Sequence, residues 1–319
     1  MPNVSSAPLV SIITPVFNRA WSIEDCLRSV DEQSYRHIEH IVVDGGSTDG
    51  TVDVISNFAA TTNIKWISEP DSGMYDAVNK GLRMASGSVL AYLNSDDLYL
   101  PWSVEVAVAG LHSSGAELVY GDLGVLTIGE PTSFYPQFYR SFDMNYFTHF
   151  ATLAQPTLFW RRDVTERIGF FDESYSLIAD CEYWLRARTR GFSLHHVDEV
   201  LAVQIEHAGT LRETQPQQLE AEFRRLRTHY TPAAGPPRHR RLQGLRRRFA
   251  WRWHQLSFVT GGRLGIHRRW PRFMTWLKDS GIRIRKSAFL WFLLPQPLRP
   301  SSASLLDATA LADSLRGRG

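Results

Sequence analysis

Two adjacent carboxylates, Asp96 and Asp97, follow the apolar run Val89–Leu93. A buried strand here would direct two hard oxygen ligands out of its carboxyl end, where a divalent metal and a diphosphate can meet. A bound Mg²⁺ or Mn²⁺ ion would neutralise the charge that develops on a leaving nucleoside diphosphate. The alternative is that the pair caps a following helix, because Asp is common at helix N-termini. A neighbouring apolar run, Ile38–Val43, also ends in an aspartate, Asp44, and this favours the metal interpretation.

The residues around these carboxylates alternate between strand and helix patterns. Strands are predicted at 9–16, 38–44, 64–68 and 89–94, and helices at 22–32, 51–58 and 74–85. Such alternation is typical of an α/β fold, a mostly parallel central sheet with helices on both faces, whose strand-end loops lie on one side. Ser22 and Asp25 have the spacing of a capping box at the start of the first helix. Beyond residue 116, shorter strand patterns (117–120, 123–128, 193–197, 200–203) and helices at 180–189 and 217–228 predict a mixed-sheet continuation for a second substrate.

Composition is that of a globular protein, with 43% hydrophobic and 12% aromatic residues. The two cysteines, Cys26 and Cys181, lack zinc-type spacing, and so few cysteines fit a reducing compartment. The N-terminus lacks the basic residues and apolar core of a secretory signal. No run of 18 apolar residues predicts a transmembrane helix. We therefore expect a cytoplasmic protein.

Charge is divided unevenly along the chain, although the net charge is only +2. Residues 1–223 hold 14 Lys and Arg against 30 Asp and Glu, a net charge of −16, whereas residues 224–319 hold 21 against 3, a net charge of +18. The Pro/Gly/Ala-rich stretch 231–238 predicts a linker. Residues 239–299 interleave Arg with Trp, Phe and Leu, as a basic amphipathic helix at an anionic membrane does, and plain solvated surface is the alternative. The Ser/Ala/Leu composition of residues 300–319 predicts a disordered tail.

Four segments in order closely resemble motifs of the family 2 glycosyltransferases, particularly those of bacterial envelope-polysaccharide synthesis. They are Ser11–Asn18, Val43–Thr51, Glu69–Gly81 and Leu93–Asp97. The match covers about residues 9–210 and implies the GT-A fold, a nucleotide-sugar-binding α/β domain joined to an acceptor region. It implies a catalytic domain over residues 1–230, with a donor half at about 9–115 and an acceptor half at about 116–230.

The resemblance also implies roles for residues that follow the first strands. Pro15 and Asn18 would lie in the loop after the first strand, beside the nucleotide. Asp44 would hold the base, and Asp71 would lie near the base and ribose. Without the resemblance, a cap on the following helix is the simpler interpretation of Asp44.

For the chemistry itself the resemblance implies a divalent cofactor, Mn²⁺ or Mg²⁺. Asp97, expected at an exposed strand end, would be the direct ligand, and Asp96 would lie nearer the ribose and the metal's waters. His207 matches a position where the family's His approaches the metal or diphosphate, although an isolated His is more often structural. Asp180 matches the family's base, which takes the proton of an acceptor hydroxyl, and could also cap its own helix. The acid that commonly precedes this base is Ala179 here.

Some further segments are ambiguous. Tyr120–Asp122 and Gln155–Phe159 resemble family segments that line the substrates. Five aromatics are expected mostly in the core, with one of them open to stacking on an acceptor sugar. They are Phe170, Phe171, Tyr175, Tyr183 and Trp184.

Together these features predict an inverting, metal-assisted glycosyltransferase at the inner face of a bacterial plasma membrane. Its partners would be a UDP-, GDP- or dTDP-sugar, a lipid-linked or glycan acceptor, and an anionic membrane that residues 239–294 contact. Nucleic acid is not expected, because no binding module is recognised. A sugar-phosphate nucleotidyltransferase is one alternative, but Pro15–Arg19 lacks the Gly-rich loop that it needs. A non-catalytic nucleotide-sugar-binding scaffold is the other, and the intact Asp96, Asp97 and Asp180 argue against it.

Overall fold

The computed structural model describes residues 7–127, 133–137, 153–207, 210 and 214–230. In this part of the chain nine strands form one sheet. The strands are β1 (Val10–Val16), β2 (Ile38–Asp44), β3 (Lys65–Ser68), β4 (Val89–Tyr92), β5 (Leu98–Tyr99), β6 (Leu118–Thr127), β7 (Ser133–Gln137), β8 (Phe159–Arg161) and β9 (Leu194–Glu206). The helices are α1 (Ile23–Asp31), α2 (Thr51–Ala59), α3 (Met74–Met84), α4 (Ser103–Ser114), α5 (Arg162–Ile168), α6 (Ala179–Thr189) and α7 (Pro216–Tyr230), with a 3₁₀ turn at Gln155–Thr157.

The sheet has the order β3-β2-β1-β4-β8-β6-β9-β5, and β7 pairs with β6. The first four strands in this order are parallel to one another, as right-handed strand–helix–strand units produce. Beyond them β8 is antiparallel to both β4 and β6, β6 and β9 are parallel, and β5 and β7 are antiparallel to their partners. The predicted α/β fold class is confirmed, with a parallel first part and a mixed continuation.

Both faces of the sheet are covered by helices, which explains why its central strands are buried and mostly apolar. In β1, Ile13 packs in a cluster with residues of α3, whereas Val10 and Ile12 pack in a cluster with residues of α1 and α4. Helix α3 lies so close to β1 that a methyl group at Gly81 would overlap the Ile13 side chain. Buried neighbours on both sides therefore fix the position of the strand ends.

Two predictions of local structure were wrong. Each pair of short strands expected after residue 116 forms a single strand, because a bulge around Asp122 keeps β6 paired with β9 along its whole length. Ser22 does not form a capping box, since its hydroxyl bonds to none of the described residues. The backbone N–H groups of Ser22 and Ile23 donate instead to the Arg19 carbonyl, so a turn begins α1.

The predicted linker (231–238), basic extension (239–299) and tail (300–319) lie outside the described residues. Among the helices that are described, none has the length and apolar character to cross a bilayer.

Candidate active site

The carboxyl ends of the first parallel strands bring most of the predicted site residues to one edge of the sheet. Asp44 ends β2 and is paired with Val16, the last residue of β1, and with Ser68, the last residue of β3. The segment after β4 continues the edge, since the Leu93 amide donates to the Ile13 carbonyl (2.9 Å). We call this region the donor edge: residues 17–20, 44–50, 68–73 and 93–97.

The Asp44 carboxylate is fully buried and shapes the loop that follows it. It accepts hydrogen bonds from the backbone N–H groups of Gly46 and Ser47 (both 3.0 Å), from the Ser68 hydroxyl (2.7 Å) and from the Ser47 hydroxyl. Three of these bonds are to Oδ2 and one, from the Ser47 hydroxyl, is to Oδ1. The predicted alternative, a cap on α2, is wrong because Asp49 bonds the Thr51 amide there (3.1 Å). A direct contact of Asp44 with a base stays a prediction, and Oδ1, which accepts one of the four bonds, has the acceptor capacity for it.

Asn18 joins the loop after β1 to the loop after β2. Its backbone N–H donates to the Ser47 hydroxyl (2.7 Å), and its side-chain oxygen accepts from the Thr48 amide (2.9 Å). Its φ of 51° lies in the left-handed region, which Asn tolerates better than most residues. Pro15 was predicted in the same loop, but it lies within β1 opposite Val43, near the strand end where a missing N–H costs one ladder bond.

Asp71 lies directly over the loop that Asp44 shapes. A methyl group at Gly45 would overlap the Asp71 carboxylate, so the glycine permits this close approach. The carboxylate accepts a hydrogen bond from the Gly73 amide (2.8 Å), and burial raises its pKa. Lys80 of α3 fixes this loop by donating to the Pro70 carbonyl (3.0 Å).

Asp96 lies beside two side chains from distant parts of the chain. Its Oδ2 is 3.1 Å from Nε2 of His207 and 3.6 Å from Nε of Arg19. The ring of Trp21 meets the His207 ring edge-on, with 4.9 Å between centroids. The structure therefore brings together the predicted pair Asp96 and His207, and it adds Arg19 and Trp21, which the sequence did not single out.

Asp97 is only 2% exposed, so the expectation of an exposed strand end was wrong. Its Oδ1 accepts from the Ile205 amide (3.1 Å) and its Oδ2 from the Asn94 side chain (3.3 Å). Asn94 in turn donates to Gln155 Oε1 (3.1 Å), and Gln155 Nε2 donates to the Tyr92 carbonyl (2.7 Å). Asp97 is buried because it directly precedes β5, which pairs with β9, and the local sequence does not reveal this pairing.

The ligand atoms that Asp96 and His207 offer suit a divalent ion only in combination with a substrate. A carboxylate oxygen and an imidazole nitrogen face each other in Asp96 and His207, and both are ligands that Mn²⁺ accepts. Within the described ranges, no three His, Cys, Asp or Glu side chains form a metal-binding group. Mg²⁺ and similar ions are commonly held by one or two carboxylates together with phosphates and water. The residues present therefore fit an ion that a diphosphate helps to bind.

Asp180, the predicted base, lies in the first turn of α6, where it is buried. Its Oδ1 accepts a hydrogen bond from the Tyr75 hydroxyl (3.0 Å). The Tyr92 hydroxyl neighbours that of Tyr75, and burial together with the charges nearby raises the pKa of both tyrosines. Tyr92 ends β4, the strand that leads to Asp96. The alternative that Asp180 caps α6 is wrong, since Ile178 occupies the N-cap position.

The aromatic residues near α6 are mostly core, as predicted. Phe171 stacks on Tyr183 with 4.3 Å between ring centroids, and Trp184 packs against both. Phe170 is 38% exposed, with the Arg83 guanidinium 4.8 Å from its ring centroid. The most exposed large aromatics among the described residues are Phe17 (55%) and Trp21 (52%), which flank Asn18 and Arg19 on the donor edge. The sequence signal that could have identified them is their place on either side of Asn18.

Asp122 pairs with a residue of β9 rather than with the donor edge. Its buried carboxylate is 3.0 Å from Nε2 of His196, whose ring packs against Tyr120. Gly121 permits the two strands to approach here, because a methyl group at this position would overlap the Leu201 side chain. This segment therefore joins β6 to β9 in the structure.

Comparison with protein families gives a match to the model described as Glycosyl transferase family 2, over residues 11–171. A relative from Mycobacterium bovis BCG, named PGL/p-HBAD biosynthesis glycosyltransferase, is 33% identical over 186 residues. That alignment covers 57% of this chain and 70% of the relative.

Solved glycosyltransferase structures resemble the chain at lower identity. S. aureus TarS 1-349 in complex with UDP-GlcNAc is 18% identical with a TM-score of 0.56, and the match covers 97% of this chain and 88% of that one. In a longer TarS structure the match spans 41% of that protein, less than half of its length. The mannosyltransferase PcManGT from Pyrobaculum calidifontis, in complex with GDP-Man and Mn²⁺, is 18% identical with a TM-score of 0.53. The match covers 99% of this chain and 89% of that one. These similarities show a shared GT-A fold.

Proposed function

The chain belongs to the family 2 glycosyltransferases and is a glycosyltransferase that uses a nucleotide-sugar donor; from this premise we propose that it inverts the transferred sugar. The acceptor in this proposal is a hydroxyl group of a lipid-linked or polysaccharide chain. The observation that carries the proposal is the position of Asp180. Its carboxylate reaches, through Tyr75 and Tyr92, the end of the strand that leads to Asp96.

In this proposal the donor edge binds the nucleotide diphosphate. The loop that Asp44 and Asn18 shape, with Asp71 over it, forms the wall against which the base and ribose lie. The Arg19 guanidinium, beside Asp96, supplies positive charge for the diphosphate. Pro15, near the end of β1, would support this wall beside the nucleotide.

Asp96 and His207 would hold a Mn²⁺ or Mg²⁺ ion against the donor diphosphate. Such an ion would neutralise the negative charge that develops on the leaving nucleoside diphosphate. Asp97 remains a proposed ligand through Oδ2, whose bond from Asn94 (3.3 Å) is longer than the bond from the Ile205 amide to Oδ1 (3.1 Å) and is the easier to replace. The bond from the Ile205 amide would keep the carboxylate oriented.

Asp180 would act as the general base. The acceptor hydroxyl is a weak nucleophile, and a carboxylate within hydrogen-bond reach takes its proton as the new bond forms. Tyr75, whose pKa burial raises, stays protonated and donates to Oδ1, which fixes the orientation of the carboxylate. Attack from the face opposite the leaving group in a single displacement inverts the anomeric carbon. The nucleotidyltransferase and scaffold alternatives lose support, since the family match points to sugar transfer.

We also propose that the enzyme works at the inner face of a bacterial plasma membrane. The support is the charge division: residues 1–223 carry −16, so an anionic leaflet repels them, whereas residues 224–319 carry +18. Basic residues interleaved with Trp and Phe at 239–294 would then bring the active site to a lipid-linked acceptor. In this proposal, residues 1–230 form the catalytic domain, and the residues after 230 bring that domain to the membrane.

A screen of nucleotide sugars tests the proposed function. The measured quantity is release of nucleoside diphosphate, with Mn²⁺ or with chelator, and with or without a bacterial membrane-lipid extract. We expect release that depends on metal and increases with lipid extract, and a product whose anomeric configuration, read by NMR, is the opposite of the donor's. Retention of the donor's anomeric configuration in the product would contradict the inverting mechanism. Full release of nucleoside diphosphate in the presence of chelator would contradict the role of a metal ion.

A further inference from the structure

Helix α7 holds the segment that leads into α6 through one buried carboxylate, that of Glu222. Oε1 of Glu222 accepts from the backbone N–H and the hydroxyl of Ser176 (3.0 and 2.9 Å). Oε2 accepts from the backbone N–H groups of Leu177 (3.0 Å) and Ile178 (3.2 Å). Hydrogen bonds to a charged group are among the stronger ones in proteins, and here four of them converge on residues 176–178.

Glu222 holds the backbone that leads into α6, a helix that has no side-chain cap of its own. The N-cap residue of α6 is Ile178, whose side chain has no oxygen to accept a helix N–H. The Glu222 carboxylate instead accepts from the N–H groups of residues 176–178, directly before the first helical turn, where the positive end of the helix dipole also favours a carboxylate. The backbone that Glu222 holds ends two residues before Asp180, so the position of this turn sets the position of the proposed base.

Other residues of α7 hold the same segment from both sides. The Tyr230 hydroxyl donates to Oε1 of Glu182, two residues after Asp180 (2.6 Å). The Arg225 guanidinium donates to the Ser174 hydroxyl (2.7 Å) and lies over the Tyr175 ring. Contacts of α7 therefore span residues 174–182, with Glu222 at the centre and Asp180 enclosed.

We propose that Glu222 is a positioning residue for Asp180: it acts on the transfer step by fixing the first turn of α6, without touching substrate. The inference rests on the proposed function, in which Asp180 is the base. A reacting group misplaced by about 1 Å can lose on the order of 10²-fold in rate, so an anchor one turn away affects turnover strongly. Binding of the nucleotide sugar at the donor edge does not depend on it.

The test uses Glu222→Gln in the full chain, with Glu220→Gln as the matched control. The first substitution keeps the shape but points an NH₂ group at backbone N–H groups. The control lies on the same helix and has an exposed side chain that pairs with Arg227. We expect Glu222→Gln to lower kcat by about 10- to 100-fold, with KM for the nucleotide sugar within about 2-fold of wild type. Glu220→Gln should match wild type, and amide exchange at residues 176–178 should accelerate only in Glu222→Gln.

Combination with Asp180→Asn separates positioning from general destabilisation. If Glu222 acts through Asp180, then Glu222→Gln should change the residual rate of Asp180→Asn by less than about 2-fold. An equal loss in both backgrounds, or full activity of Glu222→Gln, would overturn the inference. If Glu222→Gln does not fold, Ser176→Ala removes one of the four bonds. It should lower kcat by about 3- to 10-fold in the wild-type background only, and no loss there would overturn the inference equally.

Failure of the proposed function would look different from failure of this inference. A wild-type chain that turns over no nucleotide sugar would refute the role of Asp180 as base, and accelerated exchange in Glu222→Gln would then identify Glu222 only as a structural anchor of residues 176–178. A wild type that turns over, with Glu222→Gln equally active, would leave the function intact and refute the positioning.

Discussion

The donor edge and the Asp180 region are held in place in different ways. On the donor edge, Asp44 is bonded mainly by Gly46 and Ser47, two and three residues away, and Asn18 by Ser47 and Thr48. Asp180 is instead held by Tyr75, 105 residues away in sequence. The turn before it is held by Glu222, 44 to 46 residues away. The loops after β1 and β2 thus hold each other in place, whereas Asp180 and the turn before it are held by α3 and α7, which lie far from them in sequence.

The largest expected effect is on the donor edge. Asp97→Ala should abolish detectable transfer and weaken nucleoside-diphosphate binding in Mn²⁺, since it removes a proposed ligand. Because Asp97 is buried, the variant should also lose about 1 to 3 kcal/mol of unfolding free energy, the cost of leaving the Ile205 amide without its acceptor. Calorimetric titration and urea unfolding measure the two effects. The exposed Asp53→Asn is the control, and normal transfer by Asp97→Ala would break the account of this edge.

The next effect is at Asp180. Asp180→Asn keeps the side-chain shape but cannot take the acceptor's proton, so kcat should fall by about 10²- to 10⁴-fold. Steady-state kinetics with saturating acceptor measures it. Turnover within a factor of about 3 of wild type would remove Asp180 from the mechanism.

The third effect concerns the membrane. A chain ending at Tyr230 keeps α7 with both Glu222 and Tyr230, so it should fold and release nucleoside diphosphate slowly. It should lose binding to anionic liposomes and most transfer to a lipid-linked acceptor. Binding of the full chain should weaken with salt, because exposed charges are screened over about 8 Å at physiological ionic strength, yet persist through buried aromatics. Equal sedimentation of both chains with liposomes would contradict the membrane proposal.

A smaller effect is expected at Tyr75. Tyr75→Phe removes one hydrogen bond to the Asp180 carboxylate and keeps the ring that stacks on Phe171. Hydrogen bonds to charged groups contribute about 1.5 to 3 kcal/mol, so kcat should fall by roughly 10- to 100-fold, with nucleotide affinity unchanged. Kinetics together with nucleotide titration measures this, and a loss of affinity without loss of kcat would place Tyr75 on the donor side.

The smallest effect concerns stability in acid of the strands behind the donor edge. His40 of β2 is buried against Thr14, and burial lowers its pKa to about 3. Below about pH 6.5 the unfolded chain takes up a proton that the folded chain does not, so the free energy of unfolding should fall by up to about 1.4 kcal/mol per pH unit. Urea unfolding at pH 7, 6 and 5 measures the slope. His40→Gln should reduce the change of unfolding free energy with pH. An unchanged slope in this variant would show that other groups cause the pH dependence.

Much of the donor edge could be predicted from the sequence because its residues directly follow recognisable strand patterns. Parallel strands followed by turns predict that Asn18, Asp44, Asp71 and Asp96 lie at one edge of the sheet. The burial of Asp97 escaped prediction, since it depends on β9, whose Ile205 lies 108 residues away. The roles of Tyr75 and Glu222 escaped it for the same reason: a buried tyrosine and a glutamate on an amphipathic helix look ordinary until the helices are packed.

The most direct test of the division between donor edge and base is nucleotide-sugar binding by Asp96→Asn and Asp180→Asn, side by side in Mn²⁺. Calorimetric titration gives the dissociation constant of each variant and of the wild type. We expect Asp96→Asn to lose the part of the affinity that Mn²⁺ confers, and Asp180→Asn to bind within about 2-fold of wild type while its turnover is lost. Equal loss of affinity in both variants would contradict the account.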